Sequence, residues 1–301
     1  MRLSHWCVAI VVLLTAPVVA RDVYVNNIGG EDTYNGDSPT SEGQGTGPVR
    51  SLRHALKIAK RGDRVVLAKT EKPYRESAVL FGIKNSGYED QPFVIDGNGA
   101  TLIGSQSIPA AAWEHITGNV FRFQPRRKGY QQLFIDGLPV VRAPITGPRR
   151  PVLGPLEWCY YNGHIYLRCE KGKTPRSYQC TDASISVALT LHRVDHVVIR
   201  DLVIRGFQLD GINAHDTARN CVFSGIVSQG NGRSGISIGG ASRVTLQDCS
   251  LGENGKAQLR VEGHASVDVR RSELLGDSAP RWELSGGQLW IDGQEKSASD
   301  E

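Results

Sequence analysis

The sequence contains little cysteine, methionine or aromatic residue and has no strong excess of either charge. Its 301 residues include 6 Cys, 1 Met and 7% aromatic residues, and the formal net charge is +4. This small charge argues against a nucleic-acid binder that acts through bulk charge. No CxxC or Cys/His spacing indicates a zinc site. At 40% hydrophobic residues, the composition is nevertheless that of a folded protein rather than a disordered one.

Long apolar runs are also missing, except at the N-terminus. Arg2 gives a positive start, residues 6–14 are almost continuously apolar, and Val18-Val19-Ala20 forms a fair cleavage site. The run is shorter than the roughly 20 residues that span a bilayer, and no later segment approaches that length. We therefore expect a signal peptide over residues 1–20, a secreted or periplasmic mature protein, and no transmembrane segment.

Five cysteines remain once the segment containing Cys7 is removed, and an odd number is a poor disulfide framework. Cys159 and Cys169 flank an Asn-Gly turn, with Cys180 nearby, so one disulfide among these three is predicted. With a two-residue turn, Cys159 would face Tyr166 instead, and the bridge would need another register. The other two cysteines, at 221 and 249, occupy apolar strand positions typical of buried thiols.

A repeat of about 23 residues from position 197 onward is the strongest pattern in the sequence. Val197 corresponds to Cys221, and the series continues to Val244 and Val267. Apolar residues alternate with period two and turn residues separate the runs, which predicts short strands and excludes helices. Three strands per repeat, stacked on the next repeat, give a parallel β-helix. The predicted inward-facing residues are Ile212, Ala214, Ile236, Ile238, Leu259, Val261, Trp282 and Leu284.

The rest of the mature chain is expected to cap the start of this coil and to add an inserted module beside it. Ser51 can N-cap a helix with apolar Leu52, Ala55, Leu56 and Ala59 on one face, which would end at Gly62 and cap the first coils over residues 21–112. Residues 113–182 break the repeat and contain hairpin patterns around Asp-Gly and Asn-Gly turns, which predicts an inserted β-rich module. The coils resume over residues 183–292. The final segment, 293–301, is a polar tail that would shield the last coil only loosely.

Several of these segments resemble a known family. Val23-Tyr24-Val25, Gly62-Asp63-Arg64-Val65 and Tyr74-Arg75-Glu76 are similar to the opening of secreted right-handed parallel β-helix proteins of the pectate-lyase-like superfamily. Asp210-Gly211-Ile212 and Ser234-Gly235-Ile236 resemble its generic coil repeat. The resemblance implies an all-β, three-sided solenoid and extracellular polysaccharide processing by lyases or hydrolases. The superfamily also has non-catalytic binding and structural members, and no family catalytic motif is present.

Candidate functional residues come from the positions that alternate with the inward ones. These predicted outward residues form two ladders, Asn213-Ser237-Arg260-Glu283 and His215-Gly239-Glu262-Ser285. Arg233 and Lys256 align at the rim, and Asp210 begins one of the runs. We predict Arg260, Glu262, Glu283 and His215 as catalytic residues, and Asn213, Arg233, Lys256 and Asp210 as substrate-binding residues.

Two reactions can use this face. A lyase acting on a uronate polymer must neutralise the substrate carboxylate, by Ca²⁺ or by a cation, so that a base can remove the C5 proton. A hydrolase would use Glu262 and Glu283, about 8 Å apart at the backbone, as acid and base. We expect an extracellular polysaccharide as partner of a monomeric protein, with Ca²⁺ as the only metal considered. The alternative is a non-catalytic solenoid in which Arg260 and Glu283 form a surface ion pair.

Overall fold

A computed structural model describes residues 20–127 and 129–300 of the chain. The predicted signal peptide therefore lies outside the described residues except for Ala20. In the described part of the chain, no helix is both long and apolar enough to cross a membrane.

The N-terminal part contains four strands and one helix: β1 (Asp22–Val25), α1 (Leu52–Ile58), β2 (Arg64–Leu67), β3 (Ala78–Phe81) and β4 (Phe93–Ile103). The central part has short strands: β5 (Ser105–Ser107), β6 (Glu114–Thr117), β7 (Val120–Phe123), β8 (Leu133–Ile135), β9 (Leu138–Pro139), β10 (Val141–Arg142), β11 (Glu157–Tyr161), β12 (His164–Arg168) and β13 (Cys180–Ala183). The C-terminal part contains β14 (Leu189–His192), β15 (Val197–Arg205), β16 (Asp210–His215), β17 (Cys221–Gln229), β18 (Ser234–Ile238), β19 (Arg243–Gln247), β20 (Ser250–Gly252), β21 (Ala257–Arg270), β22 (Glu273–Leu274), β23 (Trp282–Ile291) and β24 (Gln294–Lys296). Three single 3₁₀ turns cover Ile83–Asn85, Ala110–Ala112 and Pro175–Ser177.

Fifteen strands form one large sheet in which all pairs except β23–β24 are parallel. The long strands bend within their length, so the sheet curls and the pairings fall into three ladders. One ladder joins β3, β14, β16, β18 and the first parts of β21 and β23. A second ladder contains β1, β2, β19 and the first part of β15, and a third contains the end of β15, with β20 and β22. The result is consistent with an all-β parallel solenoid.

The strand registers agree with the pairings predicted from the repeat. Cys221 pairs with Val244, Val244 pairs with Val267, and Ile236 pairs with Leu259. Seven of the eight predicted inward residues are buried in one continuous core, and Leu284 packs against that core. Alternation separates core residues from more exposed ones along strands such as β3, β15 and β19, as period-two patterning requires, whereas all five residues of β18 are buried.

Helix α1 forms where predicted but is shorter. The Ser51 side chain accepts a hydrogen bond from the backbone N–H of His54, so Ser51 is the N-cap. The helix ends at Ile58, before Gly62, because Ala59 already has extended backbone angles. The Glu76 carboxylate accepts from the first two helical N–H groups, at Leu52 and Arg53, and burial raises its pKa. Leu52, Ala55 and Leu56 join the solenoid core, which holds the helix against β1, β2 and β3.

The central strands form two small sheets beside the solenoid. One has the order β10-β11-β12-β7-β6, and the other has the order β5-β13-β8-β9. Both predicted hairpins are present, as β8–β9 and β11–β12. Because β5 pairs with β13, the second sheet includes Ser105–Ser107, ahead of the predicted start of the module at residue 113.

The predicted disulfide is wrong. Cys159 pairs across the hairpin with Tyr166, as a two-residue turn requires, and Cys159, Cys169 and Cys180 are all free and buried. The three thiols fill apolar sites in the module: Cys169 and Cys180 lie in one hydrophobic cluster and Cys159 in another. Cys221 and Cys249 are free and buried as expected.

The C-terminal tail is better ordered than the sequence indicates. Residues Gln294–Lys296 form β24, which turns back and pairs antiparallel with the end of β23. The indole N–H of Trp282 donates to the carbonyl of Ser297 at 3.3 Å. The expectation of a loose polar tail is therefore wrong, because this segment satisfies part of the last strand's free edge.

Buried asparagines stabilise the turn that leads into the first ladder. Asn231 and Asn254 occupy equivalent positions on successive coils, and both are fully buried. Asn254 Oδ1 accepts from the Asn231 backbone N–H at 2.9 Å and from Asn231 Nδ2 at 3.0 Å. Asn231 Oδ1 in turn accepts from the backbone N–H of Phe207 at 3.0 Å. These bonds repeat from coil to coil, so they hold successive turns in register before β16, β18 and β21.

Candidate functional site

The outward face of the first ladder carries most of the predicted site. Its strands carry two rows of positions that alternate with the core residues, which we call the outer strip; at β18 the row is interrupted, because Ser237, predicted to face outward, is only 3% exposed. One row is Val79, Thr190, Asn213, Ser237, Arg260 and Glu283, and the other is Phe81, His192, His215, Gly239, Glu262 and Ser285. The strip extends the two predicted rows by two strands, β14 and β3.

Arg260 lies between the two predicted catalytic glutamates. Its Nε donates to Glu283 Oε2 at 3.0 Å and its Nη2 to Glu283 Oε1 at 3.3 Å. The same guanidinium forms an ion pair with Glu262 on its own strand. The Arg260 side chain is only 13% exposed, whereas the glutamates are 40% and 45% exposed. The three groups therefore form one connected cluster with two carboxylates and a single cation.

Asp210 is placed differently from the prediction. Its carboxylate is fully buried and accepts from Arg233 Nε at 2.9 Å, from Ser234 Oγ at 2.6 Å and from Asn213 Nδ2 at 3.3 Å. A group saturated in this way cannot reach a ligand on the surface, so its assignment as a substrate contact is corrected. The Asp210 carboxylate instead accepts hydrogen bonds from the Arg233 and Asn213 side chains at the beginning of the outer strip.

Arg233 and Lys256 lie at the rim where the central module meets the solenoid. The backbone N–H of Lys256 donates to the carbonyl of Arg233 at 2.8 Å, which confirms their stacking on adjacent coils. The hydrogen bond with Asp210 raises the pKa of Arg233, and the Glu262 charge contributes a smaller part. The Arg233 guanidinium lies 5.9 Å from the centre of the Tyr130 ring, so the module forms one side of this rim.

His215 belongs to a row of rings that sequence reasoning did not assemble. Phe81 and His192 stack with centroids 5.3 Å apart and planes 10° from parallel, and His192 lies 5.1 Å from His215. The Asp216 carboxylate lies 3.7 Å from His192 Nε2, and the Arg193 side chain donates to the same oxygen at 2.7 Å. Neither His192 nor Phe81 belongs to the two rows predicted from the repeat, because both lie on strands before position 197.

The carboxylates of Asp210, Glu262 and Glu283 do not form the Ca²⁺ site that a lyase could use. Asp210 is buried and fully hydrogen-bonded, and Glu262 and Glu283 share the guanidinium of Arg260. Across residues 20–127 and 129–300, no group of three His, Cys, Asp or Glu side chains is arranged to hold a metal ion. Ca²⁺ binds six to eight oxygen ligands, and this face does not present such a set.

Comparison with known proteins gives only distant likenesses. No protein-family model and no curated protein matches the sequence. Among solved structures, a complex of XylC with xylose matches at TM-score 0.42 and 11% identity, over 90% of this chain and 69% of that one. A glycoside hydrolase matches at TM-score 0.42 and 10% identity, over 92% of this chain and 98% of that one. A GH136 lacto-N-biosidase from Eubacterium ramulus matches at TM-score 0.42 and 14% identity, over 84% of this chain and 43% of that one. Scores of this size establish neither a shared fold nor a shared activity.

Proposed function

We propose that the protein acts on an extracellular polysaccharide laid along the outer strip, by β-elimination at a uronic-acid residue. The observation that carries the proposal is the strip itself, in which exposed rings, imidazoles and a charged cluster share one face of a rigid sheet. Side chains on adjacent parallel strands repeat at about 4.8 Å, so an elongated chain can contact several of them at once. The proposal takes the coil to be a right-handed β-helix, as parallel crossover connections favour, with α1 over its first coil. It also takes the protein to be exported by its signal peptide.

Elimination is favoured over hydrolysis by the position of Arg260. An inverting hydrolase needs room for a water molecule between its two carboxyl groups, and one of them must donate a proton. Here the guanidinium of Arg260 pairs with both Glu262 and Glu283 and occupies the space that joins them. The cluster is better suited to accept hydrogen bonds from sugar hydroxyl groups, with Asn213 and the rim cations as further contacts.

His215 is the group we assign as the base. In the elimination, His215 takes the proton from C5, the C5 electron pair forms the C4=C5 double bond, and the C4–O bond breaks. The departing oxygen takes a proton from solvent, so atoms and charge balance. A neutral imidazole accepts a proton near neutral pH, and general-base catalysis of this kind contributes about 10²- to 10⁴-fold in rate.

A non-catalytic carbohydrate-binding protein is the second candidate. Its support is the same charged cluster, because the ion pairs of Arg260 are already satisfied without a ligand. Ion pairs that are mutually satisfied in this way are common on protein surfaces and stabilise them little.

The test is incubation of the mature protein with acidic and neutral polysaccharides, with absorbance of the unsaturated product and new reducing ends followed in parallel. We expect unsaturated product from a uronate polymer, and a loss of about 10²-fold or more in kcat for His215→Ala. His264→Ala is the matched control, since His264 is an exposed histidine outside the strip. New reducing ends without unsaturated product would replace elimination by hydrolysis. Binding without either product would favour the second candidate.

A further inference from the structure

A cavity of about 380 Å³ adjoins the ring end of the outer strip. Its polar lining comes from Arg61, Ser86, Arg193, Asp195, Thr217 and Arg219. Three of these side chains are guanidinium groups and only one is a carboxylate. A shallow cavity lined mainly by arginines is suited to a ligand with a negative charge, because a guanidinium can bind a carboxylate with two parallel hydrogen bonds.

The three arginines differ in how far they are already engaged. Arg61 donates to the carbonyl of Gly87 at 3.0 and 3.1 Å and lies over the Tyr88 ring, so its position is fixed. Arg193 is paired with Asp216. Within residues 20–127 and 129–300, Arg219 forms hydrogen bonds through its backbone, and its side chain has no hydrogen bond or ion pair. Arg219 is therefore the cation most available to a ligand.

The cavity continues directly from the row of rings. Arg193 follows His192 in the chain, Thr217 lies shortly after His215, and Ile83 lies shortly after Phe81. Val79, Phe81 and Ile83 are 51%, 57% and 74% exposed, and β3 is the last strand of the sheet on this side. The second face of the Phe81 ring therefore has no further strand beyond it. Adjacent exposed apolar side chains of this kind often mark a binding surface.

We propose that the arginine cavity binds the carboxylate of a uronic-acid unit while the apolar face of its sugar ring stacks on Phe81. This inference rests on the proposed function and assigns the position of the substrate's charged group. A sugar on the free face of Phe81 is separated from His215 by two rings, because Phe81 lies 5.3 Å from His192 and His192 lies 5.1 Å from His215. The unit bound at the cavity is therefore a neighbour of the reacting unit in the polymer, and its binding sets the position of the polymer along the outer strip. The guanidinium groups would bind this carboxylate through charge-assisted hydrogen bonds.

The other end of the strip gives an independent reason for this orientation. Around Arg260 two carboxylates accompany one cation, so a negatively charged group there would be repelled. At the arginine cavity, by contrast, three guanidinium groups accompany one carboxylate in the lining. An acidic polysaccharide is therefore expected to place a charged unit at the cavity rather than at Arg260.

The test is affinity electrophoresis in gels that contain polygalacturonate, its fully methyl-esterified form or chondroitin sulfate. Arg219→Gln should weaken binding to polygalacturonate by about tenfold, the loss expected for one charge-assisted hydrogen bond. Its matched control is Arg205→Gln, since Arg205 is an exposed arginine on the third ladder and the charge change is identical. That control should stay within about twofold of wild type.

A second pair of variants tests the stacking contact. Phe81→Ala should weaken binding of both the acidic and the methyl-esterified polymer, because stacking does not depend on charge. Leu138→Ala, on the central module, is the control for loss of an exposed apolar side chain. Equal effects of Arg219→Gln and Arg205→Gln, or tighter retention by chondroitin sulfate than by polygalacturonate, would overturn the uronate assignment. Binding and cleavage of neutral polymers only would overturn it as well, while leaving action on polysaccharide intact. If no polymer is bound or cleaved, the proposed function itself fails.

Discussion

Asn254→Ala should strongly destabilise the solenoid. The side chain makes four hydrogen bonds in the fully buried turn: two from Asn231 at 2.9 and 3.0 Å, one to the Ser228 carbonyl at 3.1 Å and one to Gln258 Oε1 at 2.8 Å. At about 1 kcal/mol for each net hydrogen bond, their loss costs about 4 kcal/mol. The substitution also leaves the buried partner groups without a hydrogen bond, so about 4 kcal/mol is a lower bound on the loss of stability.

Thermal unfolding followed by circular dichroism gives the measurement. With about 2 °C lost per kcal/mol in a protein of this size, Tm should fall by about 8 °C. Asn27→Ala is the control, because Asn27 also makes two hydrogen bonds, with Lys72 and Thr70, at a partly exposed site. It should cost less than about 1 kcal/mol, since water can replace both bonds. A Tm change for Asn254→Ala no larger than that of the control would refute the idea that buried asparagines hold the coils in register.

Two further predictions concern buried ionisable groups in the central module and the core. Burial raises the pKa of Asp182 from 3.8 to about 6, so the folded protein binds this proton more tightly than the unfolded chain does. The stability due to this group is then fully present below about pH 4 and is lost as pH rises through 6; the difference amounts to about 3 kcal/mol at most. Asp182→Asn should remove this part of the pH dependence in urea unfolding between pH 4 and 7, and an unchanged profile would contradict the assignment. Burial also raises the pKa of Cys169 to about 11 and of Cys180 and Cys221 to about 12, so these thiols should resist a thiol reagent at pH 8 until the protein is unfolded. Rapid labelling of the native protein would show that the thiols are accessible.

The outer strip shows where sequence reasoning succeeded and where it could not. Arg260 and Glu283 were placed side by side from the repeat alone, because the chain returns to the same ladder after one short coil. Phe81 and His192 are equally close neighbours, yet the whole central module separates them in the sequence. No local spacing could have joined them. The alternation in β3, with Ala78 and Leu80 buried and Val79 and Phe81 exposed, was the only available signal.

The predictions of a disulfide and of Asp210 as a substrate-binding residue were wrong for a related reason. Cysteine spacing shows that three thiols are near one another along the chain, but the strand register decides which side chain each one faces. Asp210 begins a strand at a position that alternation leaves open, and only the packing of Arg233 and Ser234 around it shows a buried carboxylate. Polar residues at turns are difficult to assign because their partners come from neighbouring coils.

The amino-acid sequence alone determined the alternation of core and surface residues, the spacing of the coils and the pairing of β16, β18, β21 and β23. These follow from period-two patterning and a short repeat, which are local properties of the chain. Only the tertiary structure decided that β3 and β14 extend the same ladder and that three arginines from separate loops meet beside it. Contacts of this kind depend on where the chain lies after a long insertion. The local pattern of apolar and polar side chains does not determine that position.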